Sequence, residues 1–346
     1  MNHSRYTTLR GKGFSFLVQK KAVSVTLLLL AVTAALMIIS TGIGSIYISP
    51  AEVLRSIFGF GADSSEMIVR SLRSPRIVMA VLIGASLAVS GAILQGVVRN
   101  ALASPTRSGR PEARRSGPSR SFSSSRISSA STCAARGCGR GVRGYAARLH
   151  FILEERRYTA RLVLVGIGFS AAMSSLSYMM MISGPIILAN QSLTFMTGSI
   201  YGVSWEKSVL PLLPWMIVLP PLAFILARHL NIQELGEDIA SGVGDAVQRQ
   251  RFLLLLLSVA LAGAGVAFGG AINFIGLLAP HIARRLVGPS FGALLPVSAL
   301  TGAIVLLLAD LAGRSLFPPH DIPAGVFTAA IGAPFFIYLL YRTRNR

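Results

Sequence analysis

Residues 252–285 read Phe-Leu-Leu-Leu-Leu-Leu-Ser-Val-Ala-Leu-Ala-Gly-Ala-Gly-Val-Ala-Phe-Gly-Gly-Ala-Ile-Asn-Phe-Ile-Gly-Leu-Leu-Ala-Pro-His-Ile-Ala-Arg-Arg. The part 252–272 carries no charge and is long enough, as a helix, to cross about 30 Å of hydrocarbon. A Gly-Gly turn then leads into a shorter apolar helix at 276–287, broken by Pro280 and closed by Arg284 and Arg285. This pattern places the chain in a bilayer. The composition agrees: 52% of the 346 residues are hydrophobic and 13% charged, whereas a soluble domain carries about 25% charged residues.

Working outward, further spans read at 22–39, 77–98, 161–184, 208–228, 293–313 and 323–341. The run at 22–39 is too long for a signal peptide and lacks a clear small-residue cleavage site, so it is a first transmembrane helix behind a basic cytoplasmic tail, 1–21. Arg99, Arg156, Arg157, Arg228, Arg284, Arg285, Arg342, Arg344 and Arg346 all become cytoplasmic if spans alternate and two more crossings lie within roughly 108–155. The expectation is therefore an all-α bundle of ten spans with both termini cytoplasmic.

The two extra crossings fall where the sequence shows none. The stretch 106–148 holds ten Ser, ten Arg and six Gly, with Glu112 its one acid and both cysteines, Cys133 and Cys138. It supplies nine of the chain's net twenty positive charges. Each arginine at a bilayer centre costs about 2.5–3.5 kcal/mol, so the stretch cannot cross, and composition alone makes it a disordered basic loop. The cysteine spacing supports neither a disulfide framework nor a metal site.

Three groups of residues carry a family resemblance. The first is Arg73-Ser74-Pro75-Arg76, Gly84-Ala85-Ser86-Leu87-Ala88-Val89-Ser90-Gly91, Gln95 and Arg99-Asn100-Ala101-Leu102-Ala103-Ser104-Pro105. The second is Leu235-Gly236-Glu237 with Val243-Gly244, then Gly270 to Arg284. The third is Ala309-Asp310, Arg314, Ile322-Pro323-Ala324-Gly325 and Gly332-Ala333-Pro334-Phe335-Phe336. Together they resemble the FecCD permeases of ABC importers for iron-siderophores, haem and cobalamin, over about 20–105 and 149–344. Ala101, where the family usually has Pro, and Val243, where it usually has Leu, are small departures.

The resemblance also accounts for 106–148. In the family, Ala-x-Pro is usually followed by Asp, two residues, Gly, and a Gly-Gly-Ala turn opening the third span. If the reading frame slips by one base, each intended codon ends in the first two bases of the codon shown. Thr106 then permits Asp, Arg107 Thr or Ala, Ser108 Ile or Leu, Gly109 Gly, Arg110 and Pro111 Thr or Ala, Glu112 Gly, Ala113 Gly and Arg114 Ala. The hidden text, Pro-Asp-Thr-Ile-Gly-x-Thr-Gly-Gly-Ala, is the family pattern. We read 106–148 as a frameshift over spans three and four, restored near Leu149, between 22–105 (the first two spans) and 149–346 (the remaining transmembrane domain).

For function, the resemblance implies a permease moving a ferric-siderophore, with haem or cobalamin as alternatives. It implies an extracytoplasmic substrate-binding protein, a second permease copy or paralogue and a separate ATPase subunit. No GxxxxGK[ST] phosphate loop occurs, so ATP is expected on that partner, with no catalytic residue, metal or cofactor in this chain. The polar loop 229–251 is the expected coupling segment, with Leu235, Gly236, Glu237, Val243 and Gly244 at matching positions. Arg73, Arg76 and Arg314 fall at outer span ends, against the positive-inside rule. The resemblance assigns them to docking the binding protein, and headgroup anchoring is the other reading.

Asp310, within an apolar run, is expected to face the interior and make a helix-end or interior hydrogen bond. His281 is expected to satisfy backbone groups freed by Pro280. Gly166, Gly168, Ser170, Gly263, Gly265, Gly269 and Gly270 suit close helix approach, and the first three also suit a translocation path. Asn190, Gln191 and Thr194 lie near the expected outer mouth, where substrate contact is possible.

Two other classes compete. An ion-coupled secondary transporter needs ionisable residues near the midplane, where Asp310 alone comes close. A nucleic-acid binder would rest on 106–148, whose aromatics, Phe122 and Tyr145, give little stacking capacity, so no nucleic acid is expected. Resequencing codons 106–148 is expected to yield two apolar spans in the shifted frame. An intact frame, with full transport by the chain, would contradict the slip.

Overall fold

The computed structural model describes residues 6–11, 14–44, 46–61, 63–98, 158–183, 185–316 and 321–344. The stretch 106–148, with the expected third and fourth spans, lies outside the described residues, as do Arg99, Arg156 and Arg157. The long helices are α1 (Lys20–Gly42), α4 (Ser74–Val98), α5 (Tyr158–Ser183), α7 (Leu210–Glu234), α9 (Val247–Gly269), α11 (Phe291–Ser315) and α12 (Ala324–Arg344). All seven are long and apolar enough to cross a membrane, and they coincide with the seven long spans expected. The shorter α10 (Ile275–Val287) stands where the eighth crossing was expected.

Short elements fill the connections. An antiparallel hairpin, β1 (Tyr6–Gly11) and β2 (Phe14–Gln19), precedes α1, where sequence suggested only a polar tail. Helix α2 (Pro50–Phe58) starts at Ser49, whose hydroxyl accepts from the Glu52 N–H, and stops at left-handed Gly59. Such capping fixes a helix too short to propagate unaided. After α3 (Asp63–Met67), a π-helical turn, Ile68–Arg73, leads into α4, and α6 (Ile186–Thr197) follows α5.

Helix α4 is the axis of the bundle. It packs against α11, α9, α10, α7 and α1. Two-thirds of its apolar window, 67%, is buried, against 11% for α1. Burial so deep requires backbones to approach closely, and glycine makes this possible. A methyl on Gly84 would lie 2.5 Å from the Gly302 carbonyl oxygen on α11. One on Gly91 would lie 2.0 Å from the Gly276 oxygen on α10. Reciprocal hydrogen bonds add to the α4–α9 contact: Ser90 Oγ donates to Ser258 O (2.8 Å) and Ser258 Oγ to Ser90 O (2.9 Å).

A second junction joins α6, the α9–α10 turn and the start of α12. The Ala271 N–H donates to Phe195 O, and the Gly325 N–H to Gly198 O. These bonds satisfy irregular backbone inside protein rather than lipid. Gly265 and Gly269 abut Ser86 and Ile83, and Gly270 abuts the Phe195 carbonyl, as the close-approach reading expects. At Gly166 and Gly168 an added methyl would meet nothing within 4 Å. Close approach therefore does not explain those two glycines among the described residues.

Gly91→Ala is expected to destabilise the protein by about 1–3 kcal/mol, because backbone cannot yield to an added methyl as a side chain can. Gly292→Ala, at a helical site with nothing within 4 Å, is expected to be neutral or stabilising by up to about 1 kcal/mol. Thermal unfolding of both purified variants tests the contrast.

Candidate functional site

Two opposite ends of the bundle carry the polar chemistry. At one end, α1 stops with unpaired carbonyls that lipid cannot satisfy. Arg73 Nη1 donates to Thr41 O (2.7 Å) and Gly42 O (3.2 Å), and its Nη2 to Ile46 O (2.6 Å). Arg314 donates to Ile43 O (2.8 Å) and to both the carbonyl and hydroxyl of Ser40. Two of the three arginines expected at outer span ends thus cap α1, a role suited to cations at a helix C-terminus.

Arg76 of α4 reaches α11 and the segment before α12 through carboxylates. Its Nε donates to Asp310 Oδ1 at 2.9 Å, and its Nη1 and Nη2 grip the two Asp321 oxygens at 2.6 and 3.0 Å. Arg314 Nε stands 3.6 Å from Asp310 Oδ2. The Asp310 side chain is fully buried, while that of Asp321 is 27% exposed. Asp310 is therefore an interior ion-pair partner, as expected, and it lies near the end of α11 rather than at its middle.

At the other end, α7 ends at Glu234 and the chain turns at Gly236, φ +127°. The six-residue helix α8 (Glu237–Gly242) follows. Gly244, φ +85°, then turns the chain towards α9. Only glycine adopts the Gly236 conformation without strain, so 229–251 cannot form one rod. Leu235, Ile239 and Val243, four residues apart, are 61%, 53% and 70% exposed. Sequence reasoning named the first and last of these; the four-residue aliphatic spacing was the signal for Ile239.

Near this end Gln95 connects α4 to α10. Its Nε2 donates to Gly276 O (3.0 Å) and its Oε1 accepts from Arg284 Nη1 (2.9 Å). Asn231 Oδ1 accepts from the Phe291 N–H that opens α11. His281 corrects its expectation. Its Nε2 is buried without a hydrogen-bond partner among the described residues, and its ring sits edge-on to Phe335 with centroids 5.4 Å apart. Aromatic packing, rather than repair of the Pro280 break, holds it.

The expected path residues divide. Gly166, Gly168 and Ser170 lie on α5, whose main neighbour among the described residues is α6. Ser170 is buried. Asn190, Gln191 and Thr194 are exposed on α6, and the Thr194 hydroxyl is taken by Asn190 O. Among the described residues no group of three His, Cys, Asp or Glu side chains could hold a metal.

The FecCD transport family matches residues 29–342. A Bacillus subtilis protein bearing the name of a siderophore transport system permease is 48% identical over 334 residues, covering 94% of this chain and 97% of its own length. The Fe(3+)-citrate import system permease protein of the same organism is 43% identical, covering 93% and 96%. The achromobactin transport system permease protein of Dickeya dadantii is 41% identical, covering 92% and 91%. A solved structure, described as a metal-chelate type ABC transporter in an inward-facing conformation, superposes with a TM-score of 0.73 at 27% identity, covering 92% of this chain and 99% of its own.

Asp310→Ala is expected to cost about 3–5 kcal/mol, because it leaves two buried guanidinium groups facing each other without their carboxylate. Asp321→Ala removes a partner of the same Arg76 at a partly solvated position and is expected to cost no more than about 1 kcal/mol. Equal losses of thermal stability would contradict this division.

Proposed function

The chain belongs to the FecCD transport family, and from that premise we propose that it is the permease subunit of an ATP-driven importer carrying a ferric-siderophore across the cytoplasmic membrane. The relatives above are named for siderophore and ferric-citrate systems, which favours iron chelates over the haem and cobalamin alternatives. The chain works with a second permease copy or paralogue, an ATPase subunit that binds ATP, and an extracytoplasmic substrate-binding protein. It is not itself an enzyme and binds no nucleic acid.

One observation carries the coupling assignment: three aliphatic side chains, Leu235, Ile239 and Val243, stand exposed around a helix interrupted at both ends by glycine. Exposed apolar groups outside the bilayer mark a partner surface. The ATPase is the partner, because the same end carries Arg228, Arg284, Arg285 and Arg342, which the positive-inside rule assigns to the cytoplasm together with both termini. Gly236 and Gly244 shape the segment, and Glu237 opens its helix.

The opposite end then faces outward. Arg73, Arg76 and Arg314 outnumber Asp310 and Asp321 by one positive charge there, and the carbonyl contacts of Arg73 orient its guanidinium without neutralising it. Their field would guide the binding protein's acidic lobes, affecting orientation and on-rate more than affinity. Gly166, Gly168 and Ser170 of α5, with Asn190, Gln191 and Thr194 of α6, are proposed to border the path. The relatives' matches extend to both sides of 106–148, which supports the frameshift reading: two regions of one permease flank a mistranslated stretch. Asp310, buried between Arg76 and Arg314, is committed to structure and so weighs against an ion-coupled carrier.

Ile239→Arg tests the coupling surface. A cation in the middle of an apolar docking patch is expected to weaken ATPase association by more than about tenfold, as loss of a central interface anchor does, while membrane insertion stays unchanged. Unaltered association of the purified full chain with the ATPase would overturn the assignment.

A further inference from the structure

Asp245 is a joint between three helices. Its N–H donates to Ala240 O (3.0 Å) and closes the end of α8, while its carbonyl accepts from the Val247 N–H (2.8 Å) as α9 begins. Its Oδ1 lies 2.7 Å from His229 Nδ1 on α7. Both side chains are largely buried, at 14% exposure for His229 and 4% for Asp245. Arg228 Nε donates to His229 Nε2 (3.3 Å). With Nε2 accepting, Nδ1 is the ring N–H that donates to Asp245.

We propose that the His229–Asp245 hydrogen bond is the brace that holds α8 at a fixed position relative to α7 and α9, making both residues positioning residues for ATPase coupling. The proposal rests on the coupling role given to 229–251 above. The geometry explains why a brace is needed. Gly236 and Gly244 free the short helix at both ends, so a push delivered to α8 would be absorbed by those turns. One side-chain contact spans both glycine turns, from α7 before them to the residue that closes α8. Asp245 Oδ2 is buried with no hydrogen-bond partner among the described residues, so His229 is what holds the carboxylate in place.

The test uses the full chain in lipid nanodiscs with two readouts: amide hydrogen exchange across 237–246 without partner, and affinity for the ATPase subunit. Asp245→Ala and His229→Ala are each expected to speed exchange in that segment but not in α4. Each is also expected to weaken ATPase binding about tenfold, the scale of a buried hydrogen bond to a charged group. The double variant should be no worse than either single one, since both remove the same contact. Asp245→Asn keeps an acceptor and His229→Asn keeps a donor near Nδ1, so both should stay near the parent. His229→Gln moves the amide towards the Nε2 position and should behave like the alanine variant.

Additive losses, unchanged exchange and affinity in the alanine variants, or asparagine variants as defective as alanine would each overturn the brace. If Ile239→Arg weakens ATPase binding while the alanine variants do not, the brace alone falls. If Ile239→Arg is also silent, the coupling role of the segment falls with it.

Discussion

The rest of the structure depends on how closely backbone can approach α4. In water, helices associate because apolar surface leaves solvent; in hydrocarbon that drive is absent, and packing together with polar contacts must replace it. Gly84 against Gly302 and Gly91 against Gly276 bring α11 and α10 into backbone contact with one central helix. The serine pair Ser90–Ser258 and the Gln95 contacts to Gly276 and Arg284 are short enough to form only because the helices lie so close. Side chains with Cβ atoms at these glycines would push the helices apart and lose the polar contacts as well.

Unpaired backbone sets the second constraint, at the ends of the bundle. The carbonyls closing α1 are taken by Arg73 and Arg314, and the charge of Asp310 is matched by Arg76 and Arg314. The arginine cluster at this end therefore has a structural reason. At the opposite end the solution is looser. Two glycines release α8 from the rods on either side, and a surface of three aliphatic side chains is left uncovered.

Much of this was legible in the sequence because hydropathy needs no tertiary information: all seven long spans and the short helix after Gly270 fall where apolar runs predicted them. Asp310 also met its expectation, since a carboxylate in an apolar run has few alternatives to an interior cation. What escaped depended on distant partners. Arg73 reaches carbonyls 27 to 32 residues away, and neither docking nor headgroup anchoring hinted at helix capping. Helix α6 was missed because twelve residues without a strong polar face resemble a loop between spans, whereas the Ser49-Pro50-Ala51-Glu52 cap of α2 was readable but overlooked. Glycines at 166 and 168 look like those at 265 and 269, and among the described residues only the neighbours within reach tell them apart.

Together these features describe an FecCD permease with a short, glycine-flanked helix at one end of its bundle. The central claim is ATP-driven movement of a ferric chelate through a bundle completed by two further spans. The direct measurement is uptake of radiolabelled ferric-siderophore into vesicles holding the ATPase subunit, with the binding protein supplied outside. The chain would be compared with a version carrying 106–148 in the shifted frame. The account predicts uptake by the shifted-frame version that requires ATP and persists when ion gradients are collapsed, and little or none by the present chain. Uptake driven by an ion gradient without ATP, or no ferric-siderophore uptake by either version, would contradict it.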